Sequence, residues 1–234
     1  MKNPWEDLAP WWLDEAASDR AYETDLVPLL LELLPPLEGA SILDIGCGEG
    51  RVMRLIGLRG AKAIGLDLNR SLARVALEYG PVLVGRLPGL DCLRAGSFDA
   101  AVAVLVLEHV DDLEVLFAEV ARVIRAEGSL IVLMNHPLYT APESAPIVDS
   151  EDGELFWRWG SYLSAGPVVE RIGNEAITFY HRPLAEILNA AAGSGWSLER
   201  MEERAIEGEA LEQLPALAAQ TQVPRLLGAR WRRI

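Results

Sequence analysis

The fold is decided by the stretch ILDIGCGEGR, residues 42–51. Its apolar start predicts a buried strand, and the apolar pattern from Arg51 onward predicts a helix. Gly46, Gly48 and Gly50 lie between the two, where glycine permits positive φ and lets a ligand contact bare backbone. The stretch therefore predicts a strand, a tight turn and a helix, with a ligand at the turn.

Two acidic residues near this turn indicate the kind of ligand. Asp44 lies at the end of the first predicted strand, where its carboxylate can accept from a ligand amine or from turn amides. Asp67, in AIGLDLN, ends the second strand, where an acid can hold ribose hydroxyls. The dinucleotide pattern G-x-G-x-x-G fails because Arg51 takes the place of its third glycine. The pattern suits a ligand with a nucleoside-like body and an ammonium group.

The surrounding sequence predicts an α/β fold. Short apolar runs alternate with helical patterns from residue 41 to residue 134. The strands are continuously apolar, which is typical of a parallel sheet covered by helices on both faces, and the alternation predicts right-handed crossovers. The helical pattern after the fourth strand runs to Gly128, which predicts a glycine C-cap there. We therefore expect a doubly wound, mostly parallel, Rossmann-like sheet.

We expect residues 1–234 to form one domain with two additions to the sheet. Residues 1–38 predict a helical lid region whose last helix is stopped by Pro35 and Pro36. Residues 135–181 lose clean periodicity, which predicts an insertion after the fifth strand that caps the active site. The core pattern then resumes, with a helix, a strand at SLERMEER, a helical stretch near 209–220 and a last strand at LLGARWRRI.

The aromatic residues that precede the sheet have two interpretations. They are Trp5, Trp11, Trp12 and Tyr22. They form either a lid and pocket wall or part of the core, and we favour the lid because aromatic faces attract a cationic ligand.

Composition limits the partners and the compartment. Lys plus Arg is 21 and Asp plus Glu is 35, giving a net charge of −14, which argues against nucleic acid and anionic membranes as partners. Cys47 and Cys92 lack metal-ligand spacing, so we expect reduced thiols in a cytoplasmic protein. The N-terminus lacks the pattern of a secretory signal, and the apolar run at residues 100–107 is too short to span a membrane. The three histidines have no paired spacing, so we expect no metal site.

Four motifs resemble the class I S-adenosylmethionine-dependent methyltransferases, in their small-molecule, methyltransferase type 11-like branch. ILDIGCGEG looks like the family's first motif, GLDLN like its second, SFDAAVAVLVLEHVDDL like its fourth-strand signature and FYHRPLAEILNAAAGSGW like its late helix. The resemblance runs in order from about residue 20 to residue 205. It implies a seven-stranded sheet with the last strand antiparallel and S-adenosylmethionine bound across the carboxyl ends of the strands, with S-adenosylhomocysteine as the product.

The resemblance also implies which residues meet the cofactor. Asp44 would lie near its amino acid end, and Asp67 would hold the ribose. The full implied set is Asp44, Gly46, Cys47, Gly48, Gly50, Asp67, Leu68, Arg86, Leu87 and Leu105. Within it, Cys47 is interpreted as a small residue that fills the turn.

One position departs from the family pattern. The family often has an acid after the third strand, beside the adenine amine, and this chain has Arg86 there. Because arginine cannot accept a hydrogen bond, either Asp91 takes that role or only backbone groups read the adenine.

Two histidines are candidate catalytic bases. His136 follows the fifth strand and leads into the insertion, and His109 follows the fourth strand. Histidine titrates nearest neutral pH, so either side chain can remove a proton from the methyl acceptor. For His109 a contact with cofactor or substrate and a helix-capping role remain open.

The resemblance implies an enzyme that transfers a methyl group from S-adenosylmethionine to the oxygen or nitrogen of a small organic molecule. The alternatives are a protein methyltransferase and a non-catalytic S-adenosylmethionine-binding protein, while the acidic charge argues against RNA. We expect a small-molecule methyl acceptor as partner, and a monomer or a homodimer.

Overall fold

The computed structural model describes residues 4–18, 22–152, 154–172, 175–205 and 221–234. The helices in these ranges are α1 (Pro4–Ser18), α2 (Val27–Leu33), α3 (Arg51–Gly57), α4 (Arg70–Ala76), α5 (Leu113–Val123) and α6 (Leu184–Gly193). The strands are β1 (Ser41–Ile45), β2 (Lys62–Asp67), β3 (Val82–Val84), β4 (Phe98–Val104), β5 (Ile124–Asn135), β6 (Ala145–Val148), β7 (Leu155–Arg158), β8 (Gly166–Ile172), β9 (Glu175–His181), β10 (Trp196–Arg204) and β11 (Leu226–Arg233). A π-helical turn, Tyr22–Leu26, leads into α2, and a short 3₁₀ turn, Leu107–His109, follows β4.

The central sheet has seven strands in the order β10-β11-β5-β4-β1-β2-β3. Strands β1 to β5 are parallel, and β11 runs antiparallel to both of its neighbours. The expected mostly parallel sheet with an antiparallel last strand is thus confirmed. The order reverses at β1, so the carboxyl ends of β1 and β4 flank the crevice where ligands of open α/β sheets bind.

Helices cover both faces of the sheet, as the apolar strands predict. In β1, Ile42 packs in a cluster with Leu29 of α2 and Met53 of α3. The next residue, Leu43, faces the other way and packs in a cluster with Phe117 of α5. All five of these side chains are buried, and the two strand residues pack on different faces because successive side chains of a strand point to opposite sides of the sheet. The two cores fix the strand ends that form the site.

The prediction of a helix ending at Gly128 is wrong. Helix α5 ends at Val123, and Ile124 has extended backbone (φ −82°, ψ 144°) that opens β5 at once. A Cβ on Gly128 would lie 2.5 Å from Ile124 Cγ2 and 2.6 Å from the Asp99 carbonyl oxygen. This glycine is therefore required by close packing, and the sequence pattern does not distinguish that need from a helix cap.

Between β5 and α6, in the segment where the sequence predicts an insertion, the described chain forms two hairpins. Strands β6 and β7 form the first and β8 and β9 the second. Strand β9 packs against the first helix, α1, and against the 3₁₀ turn after β4. The predicted helical stretch near 209–220 lies outside the described residues. In the described ranges, no helix has both the length and the apolar character to cross a membrane.

Candidate functional site

The glycine turn connects β1 to α3 in a strained path that glycine permits. Gly46, Gly48 and Gly50 have φ of 69°, 53° and 90°. The amides of Gly46 and Cys47 both donate to the Leu66 carbonyl, at 2.7 and 3.1 Å, which ties the turn to β2. The turn is therefore held by backbone bonds before any ligand is considered.

The three glycines have different surroundings. A Cβ on Gly46 would lie 2.5 Å from Val106 Cγ2, and one on Gly50 would lie 2.8 Å from the Tyr79 ring. Beside Gly48 the nearest atom is the Trp12 indole nitrogen, at 3.9 Å. Gly46 and Gly48 line a cavity, whereas Gly50 packs against α4, so the turn offers bare backbone to a ligand mainly at the first two.

This cavity has a volume of about 920 Å³ and lies over the carboxyl ends of β1, β2 and β4. Its walls include the glycine turn, helix α1 and strand β9. The predicted cofactor residues that line it are Asp44, Gly46, Cys47, Gly48, Asp67, Leu68, Arg86, Leu87 and Leu105. The structure thus brings together nine of the ten predicted positions. Asp91 is exposed and is absent from the described lining, so the acid proposed as a substitute for Arg86 is not at the cavity.

Asp67 is engaged by the backbone on both carboxylate oxygens. Its Oδ2 accepts from the Gly48 amide at 2.8 Å and its Oδ1 from the Asn69 amide at 2.7 Å. Burial raises the pKa of Asp67, and these two bonds oppose the rise. Each oxygen keeps a lone pair, so the side chain can also accept from two ligand hydroxyls.

Asp44 is buried and incompletely hydrogen-bonded. It is 2% exposed, and its Oδ2 has no hydrogen-bond partner among the described residues. Burial, and then the nearby Asp67 and Glu49 carboxylates, raise the pKa of Asp44 to about 8. An unpaired buried carboxylate is costly, and a ligand ammonium at this point would remove the cost.

Cys47 fills the turn. Its thiol is buried, which raises its pKa far above the ordinary range, and its Sγ would lie 2.6 Å from a Cβ on Gly65. These features agree with the interpretation of Cys47 as a small packing residue.

Helix α1 is tied to the glycine-turn end of the cavity. The Trp12 indole donates to Glu49 Oε2 at 2.7 Å, and the side-chain amide of Asn69 (Nδ2) donates to the Trp5 carbonyl at 2.6 Å. Glu6 accepts hydrogen bonds from the backbone amide and the hydroxyl of Ser71, which lies in the first turn of helix α4. Trp5 and Trp12 both line the cavity, so α1 forms one of its walls.

The structure places the two candidate histidines differently. His109 lines the cavity, between the rings of Trp5 and Phe179 at centroid distances of 4.8 and 4.7 Å. Its Nδ1 has no hydrogen-bond partner among the described residues, and burial lowers its pKa to about 4. The ring is therefore neutral near pH 7.

His136 is not among the described residues that line the cavity, although its sequence position predicts a catalytic base. Its Nδ1 accepts from the Leu138 amide at 3.1 Å, and its Nε2 pairs with Glu203 Oε1 at 2.7 Å. Both ring nitrogens are thus engaged, and the ring is 4% exposed. The pair with Glu203 joins the end of β5 to β10, and the role of His136 as a base stays a prediction.

Sequence reasoning missed Glu108, which lines the cavity beside His109. Its Oε1 accepts from Asn135 Nδ2 at 3.3 Å, and its buried Oε2 has no hydrogen-bond partner among the described residues. Burial raises the pKa of Glu108 to about 7. A signal was present, because this acid directly follows an apolar strand at its carboxyl end. For Phe179 no such signal exists, since its position depends on the hairpin register.

Comparisons with known proteins agree with this geometry. Residues 43–132 match the family model described as "Methyltransferase domain". An S-adenosylmethionine-dependent methyltransferase from Mesorhizobium loti has a similar solved structure, with a TM-score of 0.77, 31% identity and coverage of 88% of this chain and 96% of that one.

Two curated relatives are O-methyltransferases. Nocamycin O-methyltransferase from Saccharothrix syringae is 30% identical over 171 residues, which cover 69% of this chain and 56% of that protein. The mitochondrial ubiquinone biosynthesis O-methyltransferase from Bos taurus is 36% identical over 107 residues, covering 42% of this chain and 29% of that protein. This chain therefore spans little more than half of the first relative's length and under a third of the second's.

Proposed function

This chain belongs to the class I S-adenosylmethionine-dependent methyltransferases, in their type 11 branch, and from that premise we propose that it methylates a hydroxyl oxygen of a small organic molecule. It is an enzyme, and its cofactor is S-adenosylmethionine. When bound, this cofactor supplies an electrophilic methyl group on a sulfonium sulfur.

The observation that carries the proposal is the unpaired Asp44 carboxylate beside the glycine turn. An acceptor oxygen without a partner, buried at the end of β1, fits the ammonium of the cofactor's methionine part. Asp67 keeps a free lone pair on each oxygen for the ribose hydroxyls. Leu68, Arg86 and Leu87 would then border the adenine.

The small size of the acceptor is supported by the cavity walls. Helix α1 and strand β9 both form walls of the cavity, and Trp5 of α1 and Phe179 of β9 lie beside His109, where an acceptor would lie. The choice of oxygen is supported by the two O-methyltransferase relatives. A protein acceptor would need an extended groove, and an unpaired Glu108 at the cavity wall favours turnover over mere cofactor binding.

Binding calorimetry with S-adenosylhomocysteine tests the cofactor assignment. We expect Asp44→Asn to weaken binding by about 10- to 100-fold, because a charge-assisted bond contributes about 1.5–3 kcal/mol. Asp91→Asn is the matched control, since Asp91 is exposed and outside the described lining. Absence of binding by the wild-type protein would contradict the proposal.

Turnover with a pool of small metabolites distinguishes the enzyme from a non-catalytic binder. We expect S-adenosylhomocysteine to form in the presence of metabolites bearing hydroxyl groups. Methylation of protein acceptors alone would instead support the protein methyltransferase alternative.

A further inference from the structure

Two neighbouring residues that line the cavity each have a buried polar atom without a partner among the described residues. These atoms are Glu108 Oε2 and His109 Nδ1. The other Glu108 oxygen is held by Asn135, and the His109 ring has a hydrogen bond to the backbone of Thr178. Unpaired buried polar atoms cost free energy, so two of them at one cavity wall indicate a ligand that supplies their partners.

Apolar and aromatic side chains surround these two atoms. The Trp5 ring lies edge-on to His109, with an interplanar angle of 78°, and the Phe179 ring is tilted by 56°. Ile177, which is 1% exposed, lines the same wall. Such surfaces favour a flat apolar body, and aromatic pairs add attraction beyond the area that they bury.

The charges on the described lining argue against an anionic acceptor. Its cations are Arg51 and Arg86. Arg51 is paired with Glu49 at 2.8 Å and lies 4.7 Å from the centre of the Tyr22 ring. Arg86 follows β3 at the end that the adenine would occupy. Among the described residues, neither cation forms an ion pair with Glu108, so an acceptor carboxylate or phosphate beside an ionised Glu108 would be repelled.

Glu108 also lines a second, much smaller cavity of about 20 Å³. That volume is enough for one water molecule. The ionisable groups that border it are Tyr180, His181 and Arg182, and His109 is adjacent on the chain. Arg182 donates to the carbonyls of Val110 and Asp111 at 2.6 and 2.8 Å, so it holds the turn that carries Glu108 and does not pair with its carboxylate.

We propose, resting on the function proposed above, that this end of the cavity binds an uncharged aromatic molecule through a phenolic hydroxyl, and that Glu108 accepts the hydroxyl proton. The O–H bond breaks and its proton passes to Glu108. An oxygen electron pair forms the bond to the methyl carbon, and the electron pair of the carbon–sulfur bond remains on sulfur. His109 Nδ1 accepts a hydrogen bond from a second donor on the same molecule.

The acidity of the two partners supports a phenol over an aliphatic alcohol. Burial raises the pKa of Glu108 to about 7, opposed by its bond from Asn135. A phenolic hydroxyl has a pKa of about 10, as in tyrosine, so transfer to this carboxylate is only moderately uphill. An aliphatic hydroxyl resembles water, with a pKa of about 16, and is a much poorer proton donor.

The first experiment measures which probe binds. The wild-type protein is saturated with S-adenosylhomocysteine and titrated with naphthol, with naphthoate and with naphthylmethylamine, which share one ring system and differ in charge. We expect naphthol to bind at least about tenfold tighter than the other two. Equal or tighter binding of the acid or the amine overturns the proposed acceptor class.

The second experiment measures the base through binding, so it does not require the natural acceptor. We expect the affinity for naphthol to rise about tenfold between about pH 6 and pH 8.5, because an ionised Glu108 accepts a stronger hydrogen bond. Glu108→Gln should abolish this rise while S-adenosylhomocysteine binding stays within about twofold. Glu114→Gln is the matched control, because Glu114 is exposed at the start of α5 and should retain the rise.

The outcomes separate this inference from the proposed function. If S-adenosylhomocysteine fails to bind, the proposed function is wrong and the inference falls with it. If it binds and Glu108→Gln keeps the wild-type pH dependence, the cofactor assignment stands and Glu108 is not the base.

Discussion

The two ends of the cavity are built in opposite ways. At the glycine turn, Asp67 already accepts two backbone hydrogen bonds, and the turn amides are paired with β2. At the other end, Glu108 and His109 each keep a buried polar atom without a partner among the described residues. Apart from Asp44 Oδ2, the cofactor end is thus organised by hydrogen bonds within the chain, whereas at the acceptor end both polar residues have an atom left for a ligand.

This difference follows from where each end lies in the sequence. The cofactor end comes mainly from two consecutive strand–helix units, so nearby residues determine it. The acceptor end combines α1, the turn after β4 and strand β9, which are far apart in the chain. A rigid cofactor end and a variable acceptor end allow one fold to serve different acceptors.

The largest expected effect comes from disturbing the rigid end. Gly46→Ala adds a Cβ that meets Val106 at 2.5 Å in a residue with φ of 69°. We expect a loss of about 3 kcal/mol in the free energy of unfolding, from left-handed strain and overpacking together. Gly39→Ala is the control, because its φ is 73° and no atom lies within 4 Å of the added Cβ. Chemical denaturation should show a loss of only about 1 kcal/mol for Gly39→Ala. Equal losses in the two variants would mean that packing at the glycine turn contributes little.

Asp67→Ala should have the next largest effect. It removes the acceptor for the Gly48 and Asn69 amides as well as for ligand hydroxyls. We expect S-adenosylmethionine affinity to fall about 100-fold, from two lost charge-assisted bonds. Arg86→Ala should cost clearly less, because arginine offers the adenine no acceptor. Calorimetry that gives a larger loss for Arg86→Ala would show that the ribose and adenine ends are misassigned.

His136→Gln sharpens the contrast between structural and ligand-facing histidines. Burial lowers the pKa of His136, with Glu203 opposing the shift. Its contribution to stability is therefore full above the unfolded pKa, near 6.5, and is lost as the pH falls below that value. His109 contributes with the same sign, since its pKa is lowered to about 4. We expect His136→Gln to reduce the free energy of unfolding by about 1–2 kcal/mol at pH 8. Below about pH 6.5, the free energy of unfolding should decrease less steeply with falling pH in the variant than in the wild-type protein.

Turnover supplies the complementary measurement for the same variant. Because His136 lies outside the described lining of the cavity, kcat should stay within about threefold of the wild-type value. A large loss of kcat with unchanged cofactor affinity would restore the sequence-based role of His136 as base.

The smallest expected effect concerns the attachment of helix α1. Glu6 accepts three hydrogen bonds from Arg70 and Ser71, and the Ser71 hydroxyl is the main cause of its lowered pKa. The attachment is therefore present above the ordinary glutamate pKa and weakens as the pH falls through the lowered value. We expect Glu6→Gln to speed hydrogen exchange modestly in residues 4–18, and cofactor to slow it in both proteins. If the cofactor leaves exchange unchanged there and in residues 166–172 and 175–181, the predicted lid and cap do not close over the cofactor.

The sequence predicts the sheet, and the residues that gather around the glycine turn, because both depend on local patterns. A few neighbouring residues are enough to recognise a continuous apolar strand, an acid at a strand end such as Asp67, or glycines at alternate positions. The helix end at Val123 was missed because a glycine after a helical pattern resembles a cap, whereas tertiary packing against Asp99 is what requires Gly128.

The candidate catalytic residues were harder to predict, since they depend on where a side chain points. His136 and Glu108 both follow parallel strands, yet one is tied to β10 and the other faces the cavity. Histidine was favoured because it titrates near pH 7 in isolation. Burial brings a glutamate into the same range, and burial is a property of the fold that no single residue type reveals.

The hydrogen bond from Asn69 to the Trp5 carbonyl has a kinetic consequence. Asn69 also donates its amide to Asp67, so the residue that would hold the ribose is connected to the helix that supplies a wall for the acceptor. If the acceptor arrived first, helix α1 would form its part of the acceptor site before a bound cofactor had stabilised the bond from Asn69 that holds this helix. We therefore expect a compulsory order of addition, in which the cofactor binds before the acceptor and the methylated product leaves before S-adenosylhomocysteine.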